Sequence, residues 1–177
     1  MSVLKLNQIQ TASGVIMANL NSSGANAGIQ LASNLAPAFR ATKSSAQTIS
    51  NNTVTKLTFD TETFDTNNNF ASSTFTPTVA GYYQVNYSYS AVSLTTARTY
   101  SITALIYKNG SSYTQFEQNI TSAADQWGSI LTALVYCNGS TDYIEAYIYQ
   151  NNSPAGTIDI SGSSATTQFS ASMVRSS

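Results

Sequence analysis

The chain has 177 residues, 42% of them hydrophobic and only 8% charged, with a net charge of −1. That suits one domain with a short appendage, and at about a third of the roughly 25% charge usual in soluble domains its surface must be built from Ser, Thr, Asn and Gln. The seven Lys and Arg residues are scattered and His is absent, which excludes nucleic-acid binding through a basic patch, a Ser-His-Asp triad and imidazole metal ligation.

Residues 1–35 contain no aromatic side chain. They are small, Asn-rich and Gly-punctuated, a composition that cannot bury enough surface to fold alone. Short apolar groups (Val3, Leu4 and Leu6; Ile9; Val15 and Ile16; Ile29 and Leu31) alternate with polar residues. The pattern predicts short strands that order against a partner or a neighbouring copy, so 1–35 is read as an anchoring arm. A disordered terminus is the plainer alternative. No apolar run reads as a secretory signal or a membrane span, and no membrane insertion is expected.

Residues 36–177 hold every Phe, Tyr and Trp and read as strands with turns between them. Period-two alternation predicts strands over 38–42, 53–59, 72–79, 81–92, 99–107, 112–120, 128–137, 142–150 and 166–174. Asn109-Gly110 and Asn138-Gly139 are hairpin signals, because both residue types tolerate positive φ. No segment has a helical period with caps. The expected class is all-β, a sandwich of about ten antiparallel strands, with a jelly roll among the layouts.

The stretch TFDTETFDTNNN gathers Asp60, Glu62 and Asp65 and reads as a solvated loop. A Ca²⁺ loop is a weaker reading, since the spacing of a dedicated calcium motif is missing, and neither metal nor cofactor is expected. Asp125, Asp142, Glu145 and Asp159 complete the carboxylates weighed for glycoside hydrolysis; no enzyme activity is expected. Cys137 ends an apolar run and reads as a buried strand-end residue. With no disulfide framework, folding in a reducing cytoplasm is expected.

Two strands carry functional expectations. In 142–150, Ile144, Ala146 and Ile148 share one face, and Tyr143, Tyr147 and Tyr149 lie on the other with Glu145. The tyrosines are ordinary strand formers or a contact surface. In 128–137 both faces are apolar: Leu131, Ala133 and Val135 on one, Ile130, Leu134 and Tyr136 with Thr132 on the other. One face fills the core, and the second is expected to be covered by another subunit.

Phe59, Asp65, Phe70, Phe75, Gly81, Tyr83, Val85 and Tyr87 follow a spacing that resembles the signature of the complement component one-q globular head, in the TNF-like jelly-roll superfamily. The interval from Phe70 to Phe75 is shorter than in that family, and Val85 stands where the family has Phe. The resemblance implies a TNF-like jelly-roll head over 36–177 that assembles as a homotrimer, with Leu131, Ala133 and Val135 facing the three-fold axis. It also implies that strands 99–107 and 142–150 are neighbours, so that Tyr107 joins Tyr143, Tyr147 and Tyr149 in one outer contact patch. The opening SVLKLNQIQTASG resembles the starts of fibre and appendage proteins of tailed bacteriophages. That resemblance implies a virion structural protein made in bacterial cytoplasm, whose arm attaches to other virion proteins through Val3, Leu4, Leu6, Ile9, Val15 and Ile16. Its head would contact a host surface glycan or protein. A head decoration or cement protein that stabilises the capsid is the alternative, and a secreted-type or cellular trimeric binding module is the third reading.

Overall fold

A computed structural model of the protein describes residues 8–10, 16–20, 29–31, 36–94, 98–121 and 125–177. The chain divides into two compact units, Met1–Leu35 and Ala36–Ser177. The first contains an antiparallel sheet in the order β1 (Gln8–Gln10), β2 (Ile16–Leu20), β3 (Ile29–Leu31). Of the anchor residues expected from sequence, Ile9 lies on β1 opposite Ala18, and Ile16 opens β2 opposite Gln10. Val3, Leu4, Leu6 and Val15 lie outside the described residues.

The second unit is a β-sandwich with no helix among the described residues. Its strands are β4 (Ala38–Thr42), β5 (Gln47–Ile49), β6 (Thr55–Lys56), β7 (Thr61–Asp65), β8 (Phe70–Ala71), β9 (Thr74–Phe75), β10 (Gly81–Val92), β11 (Thr99–Lys108), β12 (Ser111–Ile120), β13 (Gln126–Cys137), β14 (Ile144–Ser153), β15 (Ile158–Ile160) and β16 (Gln168–Ser176). One sheet runs β5-β15-β10-β16-β4-β7, with β13 also paired to β10. The other runs β12-β11-β14-β9-β8, with β6 also paired to β14. The long strands pair antiparallel, and the chain changes sheet between β10 and β11, between β12 and β13, between β13 and β14 and again after β14, which is a jelly-roll layout.

Alternation decides what each strand buries. On β10, Tyr83, Val85, Tyr87 and Tyr89 point inward and are buried, while Gln84 and Asn86 point out. On β14, Ile144, Ala146 and Ile148 are fully buried. Between the sheets lies an aromatic cluster. Phe39 stacks on Phe70 and Phe75 at 4.6 and 4.5 Å and meets Phe169 edge-on at 5.1 Å. Phe59 lies 5.5 Å from Phe169, and Phe75 lies 5.5 Å from Tyr83. The aromatic signature residues are therefore core residues. Asp65 serves the backbone instead. Its carboxylate accepts the N–H of Phe70 at 2.6 Å and of Asn67 at 3.2 Å, closing the turn that delivers Phe70. Gly81 is needed for close approach, because a Cβ there would sit 2.3 Å from the Arg175 carbonyl oxygen on β16.

Several expected elements differ. The loop expected over TFDTETFDTNNN contains β7, which pairs with β4 from Phe39–Asp65 to Thr42–Thr61. Its side chains are mostly exposed, so it carries no apolar alternation to read. The long strands expected over 53–59 and 72–79 shrink to β6 and β9. Ser72 and Ser73 adopt positive φ, and Pro77 offers no ladder donor. The Asn109-Gly110 turn does join a hairpin, β11 to β12, with φ of 54° and 77°. The turn at Asn138-Gly139 does not. It carries the chain from β13 in one sheet to β14 in the other. Asn138 Oδ1 accepts the backbone N–H groups of Ser140, Thr141 and Asp142, so the turn closes on itself rather than on a strand partner.

Candidate functional site

The register of β13 against β10 fixes its faces. Tyr83 lies opposite Val135, Val85 opposite Ala133 and Tyr87 opposite Leu131. Directly opposed residues share a face, so all three β13 residues point into the core. Val135 is 0% exposed, Leu131 is buried and Ala133 packs against the core cluster. This corrects the expectation that Leu131, Ala133 and Val135 face a three-fold axis. Sequence alone shows two apolar faces on this strand, and only the pairing with the inward tyrosines says which is interior.

The outer face carries Ile130, Leu134 and Tyr136, at 70%, 52% and 40% exposure. Beside them on β10 are Tyr82, 5.4 Å from the Tyr136 ring, and the neutral groups Gln84 and Asn86. Thr132 donates to Asn86 Oδ1 at 3.1 Å and accepts from Gln84 Nε2, so the polar centre of this face is internally bonded. β13 has no charged residue, and β10 is its only strand partner among the described residues. Between β12 and β13, which belong to different sheets, Tyr113 donates to the Leu134 carbonyl at 3.1 Å and Trp127 donates to Gln118 Oε1 at 3.2 Å. Phe116 is exposed on the same edge strand, β12.

The second sheet presents the tyrosines. β11 pairs with β14, which places Tyr107 opposite Glu145 and Leu105 opposite Tyr147. Tyr107 and Tyr147 stack at 4.2 Å. Tyr107, Tyr143, Tyr147 and Tyr149 are all half-buried. Tyr149 donates to Asn52 Oδ1 at 2.9 Å, and Tyr147 donates to Glu145 Oε2 at 3.2 Å. Glu145 also accepts from Lys56 at 2.6 Å and Thr74 at 3.0 Å. Burial pushes the Glu145 carboxyl up, but the bonds from Lys56, Thr74 and Tyr147 and the Lys56 charge outweigh it, leaving it below its ordinary value. Burial raises the Tyr147 phenol, and Glu145 beside it raises it further.

The remaining carboxylates mostly hold the frame. Asp60 accepts the Ser44 N–H at 2.8 Å, and Asp159 accepts from Thr48 at 2.7 Å. Asp142 ties the two Asn-Gly turns together: it accepts from Asn109 Nδ2 at 2.7 Å, the Asn138 N–H at 3.0 Å and Lys108 at 2.9 Å. The Asn109 bond, with those from Lys108 and Asn138, holds the Asp142 carboxyl below the usual carboxylate range despite its burial. A folded-state value below the unfolded one, about 3.9, means the group stabilises the head above that pH and loses its contribution as pH falls through the folded value. Wild type is expected to be more stable than Asp142→Asn at neutral pH, with the gap closing below about pH 4. Urea denaturation at a series of pH values checks this, and a gap independent of pH would contradict it. Cys137 is buried, and burial raises its thiol to about 11.

The architecture defines a TNF-like jelly roll. Two solved structures of murine APRIL, at pH 8.5 and pH 8.0, match with TM-scores of 0.55 and 0.56 at 10% and 11% identity, covering 78% of this chain and 99% of theirs. Eiger TNF from S. frugiperda matches with a TM-score of 0.52 at 11% identity, covering 81% of this chain and 94% of its own. No protein-family model and no curated protein sequence matches the chain. At such identities the likeness establishes fold, and function must be argued from the surfaces.

Proposed function

We propose that the protein is a homotrimeric structural component of a tailed-bacteriophage virion, a short fibre rather than an enzyme. Its jelly-roll head contacts the host surface or a partner, and its N-terminal arm attaches to the particle. The observation that carries self-association is the exposed column Ile130, Leu134 and Tyr136 on an uncharged, twelve-residue strand with one free edge among the described residues. Long hydrophobic edges without Lys, Pro or inward charges invite pairing with another chain. The strand itself carries no charge, and the cations nearby lie at one end, Lys108 over the Tyr136 ring at 5.8 Å and Arg175 opposite Tyr82, so two copies can meet at Ile130 and Leu134 without like charges between them. Three copies are what the one-q-type signature implies, with the axis now on the face opposite to Leu131, Ala133 and Val135. The virion reading is supported by the likeness of the arm to phage appendage starts and by the low charge of the chain. Immunogold labelling of intact particles tests it: label on the tail is expected, label on the capsid favours the cement reading, and particles that never carry label overturn both.

A further inference from the structure

The outer face of the β11–β14 sheet ends in a shallow depression of about 240 Å³ that none of the contacts above uses. Three registered strands build its rim: Thr99 and Ser101 from β11, Asn119 from β12 with Thr121 just beyond it, and Asn151 and Ser153 from β14. Ser101 lies opposite Asn119 on one side and Asn151 on the other, and Thr99 lies opposite Ser153. Tyr100 and Ile120 also line it, between the rim residues, with their side chains turned into the core on the other face of the sheet. Every rim side chain is a hydroxyl or an amide, and none is ionised. Ser101 donates to Glu117 Oε1 at 2.7 Å. Among the described residues, the side chains of Thr99, Asn119, Thr121, Asn151 and Ser153 make no hydrogen bond. This contrasts with the tyrosine patch on the same face, where Tyr147, Tyr149, Glu145 and Lys56 are engaged with one another and with neighbours.

We propose that this depression binds a neutral saccharide unit. Hydroxyls and amides each donate and accept, which matches a ligand whose own groups do both. An ionic ligand would lack a counter-charge. Arg98, next in sequence to the rim, lays its guanidinium against Gly156, and Glu117, which lies outside the rim and accepts the Ser101 hydroxyl, repels anions. An apolar ligand would lack an apolar wall, since the outer-face side chains that line the depression are Thr, Ser and Asn. The volume is below the roughly 300–1,000 Å³ of drug-sized pockets and fits one sugar ring. One step along the strands, Thr103 lies opposite Tyr149, whose hydroxyl is held by Asn52, so the depression ends where the tyrosine patch begins. The site gives the host-contacting head a ligand class and in that respect rests on the proposed function.

Saturation-transfer difference NMR on the full chain tests the site, with glucose, galactose, rhamnose and N-acetylglucosamine as neutral probes and glucuronate as the charged control. Transfer to at least one neutral sugar is expected, with none to glucuronate, and a shallow open site makes the affinity weak. The double variant Asn119→Ala/Asn151→Ala should lower the transfer at least fivefold without changing the melting temperature, both side chains being exposed. Ser153→Val, which removes a single exposed rim hydroxyl, should lower it less. Transfer to glucuronate alone, to no neutral sugar, or undiminished in the double variant overturns the site. Particle labelling is read separately. A chain found on virions that binds no neutral sugar overturns the site alone, and sugar binding by a chain never found on virions overturns the virion reading alone.

Discussion

Phe39→Ala is expected to destabilise the head by about 3–5 kcal/mol, lowering its melting temperature by on the order of 10 °C. Phe39 is fully buried in β4 and touches three rings, Phe70, Phe75 and Phe169. Those rings come from β8 and β9 in one sheet and β16 in the other, so the side chain joins both layers. Truncation removes transfer free energy and leaves a cavity walled by aromatic groups too rigid to collapse into it. Aromatic pairs add about 0.5–1.5 kcal/mol each beyond burial. Phe64→Ala is the matched control on the adjacent strand β7, where the ring is 46% exposed. It should cost under about 1 kcal/mol. Urea denaturation of both variants reads the difference, and equal losses would mean that the aromatic cluster is not the centre of the core.

The legibility of this fold in its sequence follows burial. β4 and β10 coincide with the strands expected from alternation, because each turns apolar side chains to the core and mostly polar ones to the other face, even where those polar residues, Thr42, Ser88 and Ser90, are themselves buried. β14 begins two residues later than expected, at Ile144, because Asp142 and Tyr143 belong to the turn that Asp142 braces. β7 stays hidden because an edge strand with exposed side chains has no dry face to announce it. β5 and β15 stay hidden for another reason. Each has three residues, too few for a period, and their pairing with each other spans more than a hundred residues of chain. The Tyr107–Tyr147 stack is accessible through the resemblance, since it needs only the neighbour relation of two strands. The depression at Thr99, Asn119 and Asn151 is not, because Ser, Thr and Asn are the ordinary surface of this chain and only the three-strand register gathers them.

Leu134→Asp and Val135→Asp, one residue apart, are expected to fail in different ways. Leu134 is 52% exposed on the outer face of β13, so an aspartate there remains hydrated and the protomer stays folded. If three copies meet on this face, each now brings a carboxylate to a contact whose β13 residues carry no charge, and the mass measured by light scattering should fall threefold with little change in melting temperature. Ile130→Asp, on the same face at 70% exposure, should do the same. Val135 lies opposite Tyr83 in the core with no exposure. A carboxylate there has neither water nor a cation, and the cost of several kcal/mol falls on folding itself, whatever the protomer associates with. Val135→Asp should therefore yield unfolded or aggregated protein. A folded monomer from Val135→Asp, or an undiminished mass from the Leu134→Asp/Ile130→Asp double variant, would contradict the assignment of faces. A simple loss of trimer in either single variant could not separate interface from core. The contrast between neighbours does, because a strand turns successive side chains to opposite faces and only one of those faces can meet another copy.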